Sequence, residues 1–268
     1  MNAVGFWFLF AVVSAVLAWR FGAQSGRHSL SRARLVASIA FGLLIAWVFF
    51  LRRPEMLLAA MPASVLSVME SFVATPLMLM MLGVLWVRSR FCRQRVVVTA
   101  GILLGVLYMI HGSAWMLQTT PSVGFAQTHQ SAVQKQSQAY SCVPAACATA
   151  MNRWGVNTTE QEMAEMTQTR RGTGATVVRA VAGINRKLSA TDLVATVVNP
   201  SHEELLALPM PALTAVKAGM SNLHMVTILR VDERNLVVAD PTGGRSLIWS
   251  WSEYEARATG LVIVFGPR

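Results

Sequence analysis

Four stretches within the first 118 residues carry no charged side chain: 1–19, 35–51, 71–87 and 96–118. Each is long enough, or nearly so, to cross the hydrocarbon core of a bilayer as a helix, which takes about 20 apolar residues. Backbone N–H and C=O groups find no water there, so a helix is the form such runs must take. We expect a membrane region over residues 1–118 with four helices, at about 3–19, 35–51, 66–87 and 96–117. The third is extended back toward Ser64, which puts Glu70 in its first turns. The first run has no basic start and no clear small-residue cleavage site, so it reads as a membrane helix and not as a secretory signal.

The loops between these runs carry unequal charge. Arg20, Arg27, Arg32 and Arg34 lie in loop one, and Arg88, Arg90, Arg93 and Arg95 in loop three. Loop two holds Arg52, Arg53 and Glu55. Lys and Arg gather on the cytoplasmic side, so loops one and three are expected inside and both chain ends outside. The chain is then a multi-pass protein of the inner (plasma) membrane, with its C-terminal 150 or so residues in the periplasm or cell exterior. The formal charge of +10 has the same origin: residues 1–117 hold ten arginines against two acids. Because the excess charge lies between apolar spans, it is read as topological, and nucleic acid is excluded as a partner. Within the membrane region, Glu70 reads as an interfacial carboxylate, Pro76 as a kink, His111 as a packing or interfacial side chain, and Cys92 as an incidental cytoplasmic thiol.

Residues 119–135 are mostly polar, with Pro and Gly, and read as a linker. The domain beyond it, 136–268, begins with helical patterns. Ala145, Ala146, Ala148, Met151 and Trp154 have helical spacing and stop at Gly155. Thr159 and Glu162 form a capping-box pattern, and Gly172-Thr173-Gly174 introduces a third helix running to about Leu188. Short Val/Leu/Ile runs follow at 193–198, 212–216, 224–231, 236–239, 247–249 and 261–265, with a hairpin turn at 232–235 and a short helix at about 251–257. Helices followed by an antiparallel sheet define an α+β domain.

Cys142 stands at the start of the first of these helices. A helix N-terminus favours an anion, and the thiolate is the reactive form of cysteine. A thiol nucleophile needs a base, and the base needs an orienting group. His224 opens one strand and Asp240 closes the next, sixteen residues on, around a turn at 232–235. The two are therefore nearly opposite across a hairpin, and Asp240 is placed to hold the His224 ring toward Cys142. Gln136, six residues before Cys142, is the candidate side-chain oxyanion donor, with the Cys142 backbone N–H as the second.

This constellation resembles that of the peptidase C39 family, the papain-like cysteine peptidases that process bacteriocins and remove double-glycine leader peptides. The family's run is a glutamine, four residues, then Asp-Cys-Gly-x-Ala. Here it is Gln136, four residues, then Ser141-Cys142-Val143-Pro144-Ala145. The helix that follows ends in Trp154-Gly155, and His224 with Asp240-Pro241 matches the family's His and Asp-Pro. The resemblance covers about residues 130–268 and implies a papain-like fold with helices on an antiparallel sheet. It implies a cysteine endopeptidase that acts on a peptide or protein, with Gly-Gly-type leaders as one substrate class. Ser141 replaces the family's acid and Val143 its glycine, and Val143 is expected to add bulk beside the nucleophile. Many family members are fused to an ABC transporter. This sequence holds no G-x-x-x-x-G-K-[ST] nucleotide loop, so any export system is a separate partner. Two alternatives stand beside the peptidase reading: a non-catalytic peptide-binding module, and a thiol amidase or transpeptidase.

Cys147 reads as core. Five residues along a helix from Cys142, its Cα is roughly 8–9 Å away, beyond disulfide reach. His129 and His202 are expected to be solvated, and Asp192 and Asp232 to be turn residues. Arg170-Arg171 is read as a solvated loop. No Cys/His spacing suggests zinc, and no cofactor is expected.

Overall fold

The structure, a computed structural model, describes residues 3–70, 72–113, 120–124, 132–219 and 223–268. The first six helices are α1 (Ala3–Arg27), α2 (Leu30–Leu51), α3 (Pro54–Ala60), α4 (Ala63–Met69), α5 (Ala74–Arg88) and α6 (Cys92–Ser113). The chain divides into two units, one made of Met1–Arg53 with Val65–Thr119, the other of Pro54–Ser64 with Thr120–Arg268.

Three stretches among the described residues are long and apolar enough to cross a membrane: Phe6–Arg27, Leu30–Leu51 and Ala63–Arg88. In the first two, large side chains face outward, and Leu17, Phe41, Leu43 and Ile45 are all exposed, whereas the third buries Leu66, Leu79 and Val84. Small side chains face inward, among them Ala11, Ala15, Ala33 and Ala40. That inversion suits a lipid solvent, where helices associate by close packing of small residues. It is tightest between α1 and α5. A Cβ on Gly83 would lie 2.6 Å from the Trp19 carbonyl oxygen, and one on Gly22 would overlap the Met80 carbonyl. The third expected helix is two, α4 and α5, with Glu70 in the turn between them. Pro76 then falls in the first turn of α5, where a missing N–H costs nothing, so the chain breaks ahead of it and does not kink at it. The fourth expected helix, 96–117, overlaps α6, which is not among those three stretches; its expected last residues, 114–117, lie outside the described residues.

The second unit is an α+β domain. After α7 (Cys142–Arg153), α8 (Glu160–Met166) and α9 (Val177–Lys187) come β1 (Leu193–Val198), α10 (His202–Ala207), β2 (Ala212–Lys217), β3 (Leu223–Val231), β4 (Asn235–Asp240), β5 (Arg245–Ser250), α11 (Trp251–Arg257) and β6 (Ala258–Pro267). The strands form one six-stranded antiparallel sheet in the order β1-β6-β2-β3-β4-β5. Successive side chains of a strand point to opposite faces, and here both faces are covered. Leu213, Ala215, Met225, Ile263 and Phe265 join the core beneath α7–α9. Their neighbours Ala212, Val216, Val226, Val262 and Val264 join a second core with Leu205 of α10 and Tyr254 of α11. Double-sided burial explains why these strands read as continuous apolar runs without alternation.

Sequence reading placed these elements closely, with one omission. α10 was not foreseen, although Ser201 and Glu204 form a complete capping box. It is one and a half turns long, too short for a periodic signal. Its first residue, His202, is exposed, as expected, and stacks on Trp251 with ring centroids 3.5 Å apart. His129 lies outside the described residues. The stretch read as a linker is folded in at both described ends. Val123 is buried and its N–H donates to Gln161 Oε1 at 2.7 Å, while the Gln134 N–H donates to Thr149 Oγ1 at 3.0 Å.

Candidate active site

The segment before α7 is held by two internal braces. Ser141 is fully buried; its hydroxyl donates to the Gln138 carbonyl at 2.9 Å and accepts from the Gln138 N–H at 3.0 Å. Glu160, also fully buried, accepts from the Ser137 N–H at 3.0 Å and the Gly124 N–H at 3.2 Å. A serine at position 141 therefore closes a tight local turn. It makes no side-chain cap on α7, so the first backbone N–H groups of the helix stay directed at the Cys142 end.

The first turn of α7 puts Cys142 at the boundary of the core, half-buried, with Val143 behind it. Val143 is a member of the core under α7 and is 5% exposed. Its side chain packs in that core, against which Cys142 also packs. The helix is tied to the sheet where the Thr227 hydroxyl donates to the Ala146 carbonyl at 3.0 Å. That bond and the packing of α7 on β3 fix the distance between Cys142 and the start of β3.

His224 is the second residue of β3 and Asp240 the last of β4. The register runs Thr227 to Ala239, with a shift between Ile228 and Arg230. Asp240 is thus opposite Val226, and His224 lies on the diagonal, still within side-chain reach. His224 Nε2 and Asp240 Oδ1 are 2.8 Å apart. Cys142 is near enough to His224 for each to shift the other's titration: His224 lowers the thiol and Cys142 raises the imidazole. The fold brings Cys142, His224 and Asp240 into one neighbourhood.

Burial is the largest influence on each of the three groups, and in each it is outweighed. It pushes the Cys142 thiol up, but the His224 hydrogen bond, the Met225 and Val143 backbone groups and the His224 charge together hold the thiol below its ordinary value. It pushes His224 down, but hydrogen bonds and charge from Cys142 and Asp240 raise the imidazole above its ordinary value. It pushes Asp240 up, but His224 and the Thr242 N–H keep the carboxyl low. All three shifts favour a thiolate, an imidazolium and a carboxylate together.

Gln136 lies beside these residues in a manner the sequence did not reveal. Its backbone N–H donates to the Pro241 carbonyl at 2.8 Å, which joins the loop before Cys142 to the loop after Asp240. Its side-chain Nε2 donates to the Gln138 carbonyl at 2.9 Å. The amide is therefore near the loop but engaged in a local turn. Thr242 was not foreseen at all. Its N–H donates to Asp240 Oδ1 at 2.9 Å and its hydroxyl is 3.3 Å from His224 Nε2. Asp240-Pro241-Thr242 carried a sequence signal for it, since a residue two beyond an Asp commonly donates to its carboxylate.

The family model described as Peptidase C39 family matches residues 130–268, just over half of the chain, and the protein belongs to that family. An uncharacterized protein of Methanothermobacter thermautotrophicus is 36% identical over 110 residues, covering 41% of this chain and 71% of its own. Another, from Methanothermobacter marburgensis, is 31% identical over 113 residues, covering 42% and 73%. Among solved structures, the peptidase domain of Streptococcus ComA, a bi-functional ABC transporter involved in a quorum sensing pathway, aligns at 20% identity. It covers 51% of this chain and 98% of that domain, with a TM-score of 0.44. A double glycine motif protease from an AMS/PCAT transporter, solved with its leader peptide, aligns at 16% identity over 53% of this chain and 99% of the other, with a TM-score of 0.42.

Proposed function

We propose that this protein is a membrane-anchored cysteine endopeptidase whose nucleophile is Cys142, with His224 as base and Asp240 as its orienting partner. The observation that carries the reading is the 2.8 Å contact of Asp240 with His224, together with a Cys142 thiol at the start of α7 that His224 holds below its ordinary value. The Cys142 thiolate attacks a substrate carbonyl carbon to form a tetrahedral adduct. Backbone N–H groups at the start of α7 stabilise its oxyanion, joined by Gln136 once its amide leaves the Gln138 carbonyl. His224 gives its proton to the leaving amine, the C–N bond breaks, and an acyl-enzyme remains. Water then attacks that thioester while His224 takes the water proton, and the carboxylate product leaves with Cys142 as thiolate.

The substrate is a peptide or protein cut after a small-residue site, with Gly-Gly-type leaders as the favoured class. Family membership and the leader complex of the AMS/PCAT protease support that choice. Four helices anchor the domain in the plasma membrane, and the arginines of loops one and three put it outside the cytoplasm. A separate export system delivers the substrate there. Expressed in cells with candidate secreted peptides, the Cys142→Ala variant is expected to leave them uncut while accumulating normally in the membrane. Unchanged cleavage would refute the assignment.

One observation favours a second reading, a peptide-binding module without turnover: the Gln136 amide is spent on Gln138 and not held free. A thiol-reactive peptide probe separates the two. Fast labelling of Cys142 that is lost in His224→Ala supports the enzyme, and slow labelling indifferent to His224 supports the binder.

A further inference from the structure

Residues Pro54–Ser64 follow the Leu30–Leu51 helix and enter the Ala63–Arg88 stretch of α4 and α5, so in sequence they are the loop between two membrane spans. In the fold they belong to the unit that contains the peptidase domain. Pro54 and Leu57 of α3 are buried, and Leu58 and Ala63 pack against the core under α7–α9. α3 contacts α9 and β1. β1 is an edge strand, and its Leu193, Ala195 and Val197 lie at alternate positions within that same core. α3 thus shares with α9, and with the single 3-10 turn Leu188–Ala190 that follows it, the cover over the β1 end of the sheet. The loop's own sequence fits this use: Met-Leu-Leu-Ala-Ala at 56–60 has no charge, which is costly for a short water-exposed loop and suited to a helix that buries one side.

We propose that the α9–β1 face of the peptidase domain is the docking surface for the loop between the second and third membrane helices, and that the domain therefore lies on that loop's side of the membrane. The inference rests on reading the N-terminal helices as membrane spans and not on peptidase activity. It has a consequence by parity. The chain leaves the docked loop at Ser64 and crosses through Ala63–Arg88, yet it must be back on the first side by Thr120. A second crossing is required, and α6, Cys92–Ser113, is the helix among the described residues that lies between. α6 is thus the fourth span. The arginines at 88, 90, 93 and 95 fall on the opposite side, which is where the charge rule puts them. The domain is also connected to the membrane helices at three points of the chain, after Arg53, after Ser64 and before Thr120, and not by a single tether.

Two measurements on the full-length protein test this. In intact cells, a membrane-impermeant maleimide is applied to Met56→Cys or Ser189→Cys, each in a Cys92→Ser, Cys142→Ser background, with Cys147 left buried. Both new thiols are expected to label, while native Cys92 in a Cys142→Ser background stays protected until the cells are opened. If positions 56 and 189 differ in accessibility, the docking is refuted. If both are protected and Cys92 labels, the docking stands with the opposite orientation. Second, hydrogen exchange is followed in the detergent-solubilised full chain carrying Leu58→Ala. Protection across Val181–Leu188 and Leu193–Val197 is expected to fall about tenfold, with α7 and β3 unchanged, while exposed Met56→Ala leaves all of it intact. Unchanged protection at α9 and β1 in Leu58→Ala would overturn the proposal, whatever the fate of the catalytic reading.

Discussion

The first and second turns of α7 place the same side-chain type in opposite electrostatic settings. Cys142, in the first turn, meets His224 and the Met225 and Val143 backbone, and its thiol is held below the ordinary value despite burial. Cys147, in the second turn, is fully buried; burial chiefly, and the Cys142 charge in addition, push its thiol far above the ordinary value. Five residues along one helix separate a group made to ionise from one made never to. Hydrophobicity of the local sequence does not distinguish them. What does is whether a hydrogen-bonding partner reaches the sulfur from another element, and only the start of β3 does so.

The largest expected effect follows from this contrast. Iodoacetamide at neutral pH should modify Cys142 at least roughly a thousandfold faster than Cys147, which reacts only when the domain opens. In guanidinium the two rates should converge. Comparable native rates, read by peptide mass spectrometry, would break the comparison. It can be sharpened by His224→Ala, which should slow Cys142 while leaving Cys147 as it was.

The next effect concerns pH. His224 is raised and Cys142 is lowered, so the thiolate–imidazolium pair exists between the lowered thiol value and the raised imidazole value. Activity is expected to rise as Cys142 ionises and fall as His224 loses its proton. The stability contributions follow the same signs. That of His224 is complete below the ordinary imidazole value and is lost as pH climbs through the raised one. Those of Cys142 and Asp240 are present above their ordinary values and are lost as pH falls through the lowered ones. Asp240→Asn removes the carboxylate that raises His224. The basic limb should then move to lower pH, with kcat reduced about a hundredfold. An unshifted basic limb would remove Asp240 from the orienting role.

A smaller effect tests the second turn. Cys147→Ala removes one buried atom from a close-packed core and should cost about 1 kcal/mol of stability, seen as a few degrees in Tm. Rates should be unchanged. A loss of activity without a loss of stability would make Cys147 part of the site.

These contrasts explain which parts were readable from the sequence. Cys142, His224 and Asp240 were legible because each sits at an element boundary marked by local signals: a helix start, a strand start, and a strand end before Pro241. The hairpin turn was legible because Asp232 accepts from the Arg234 and Asn235 N–H groups, which is what an Asp in a turn does. The placement of Pro54–Ser64 was not legible, since its partners lie more than a hundred residues away on α9 and β1. Nor was the direction of Val143. Position 143 is adjacent to the nucleophile in sequence, but the helix turns its side chain into the core. The engagement of Gln136 depends on how the loop before α7 closes through Ser141, a detail of hydrogen bonding that spacing does not encode.

The smallest effect is expected at Thr242. Its backbone N–H holds Asp240 Oδ1, and its hydroxyl lies 3.3 Å from the ring nitrogen that also faces Asp240. Thr242→Val keeps the shape and the backbone donor but deletes the hydroxyl. The Asp240–His224 contact is shorter, at 2.8 Å, and carries charge, so it should hold the ring without help. Loss of one long, exposed hydrogen bond is worth about 0.5–1.5 kcal/mol, which is a roughly twofold to tenfold fall in kcat/KM. The basic limb of the pH profile should stay in place, because the carboxylate that sets it is untouched. A shift of that limb in Thr242→Val as large as the one in Asp240→Asn would mean that the hydroxyl, and not the carboxylate, orients His224.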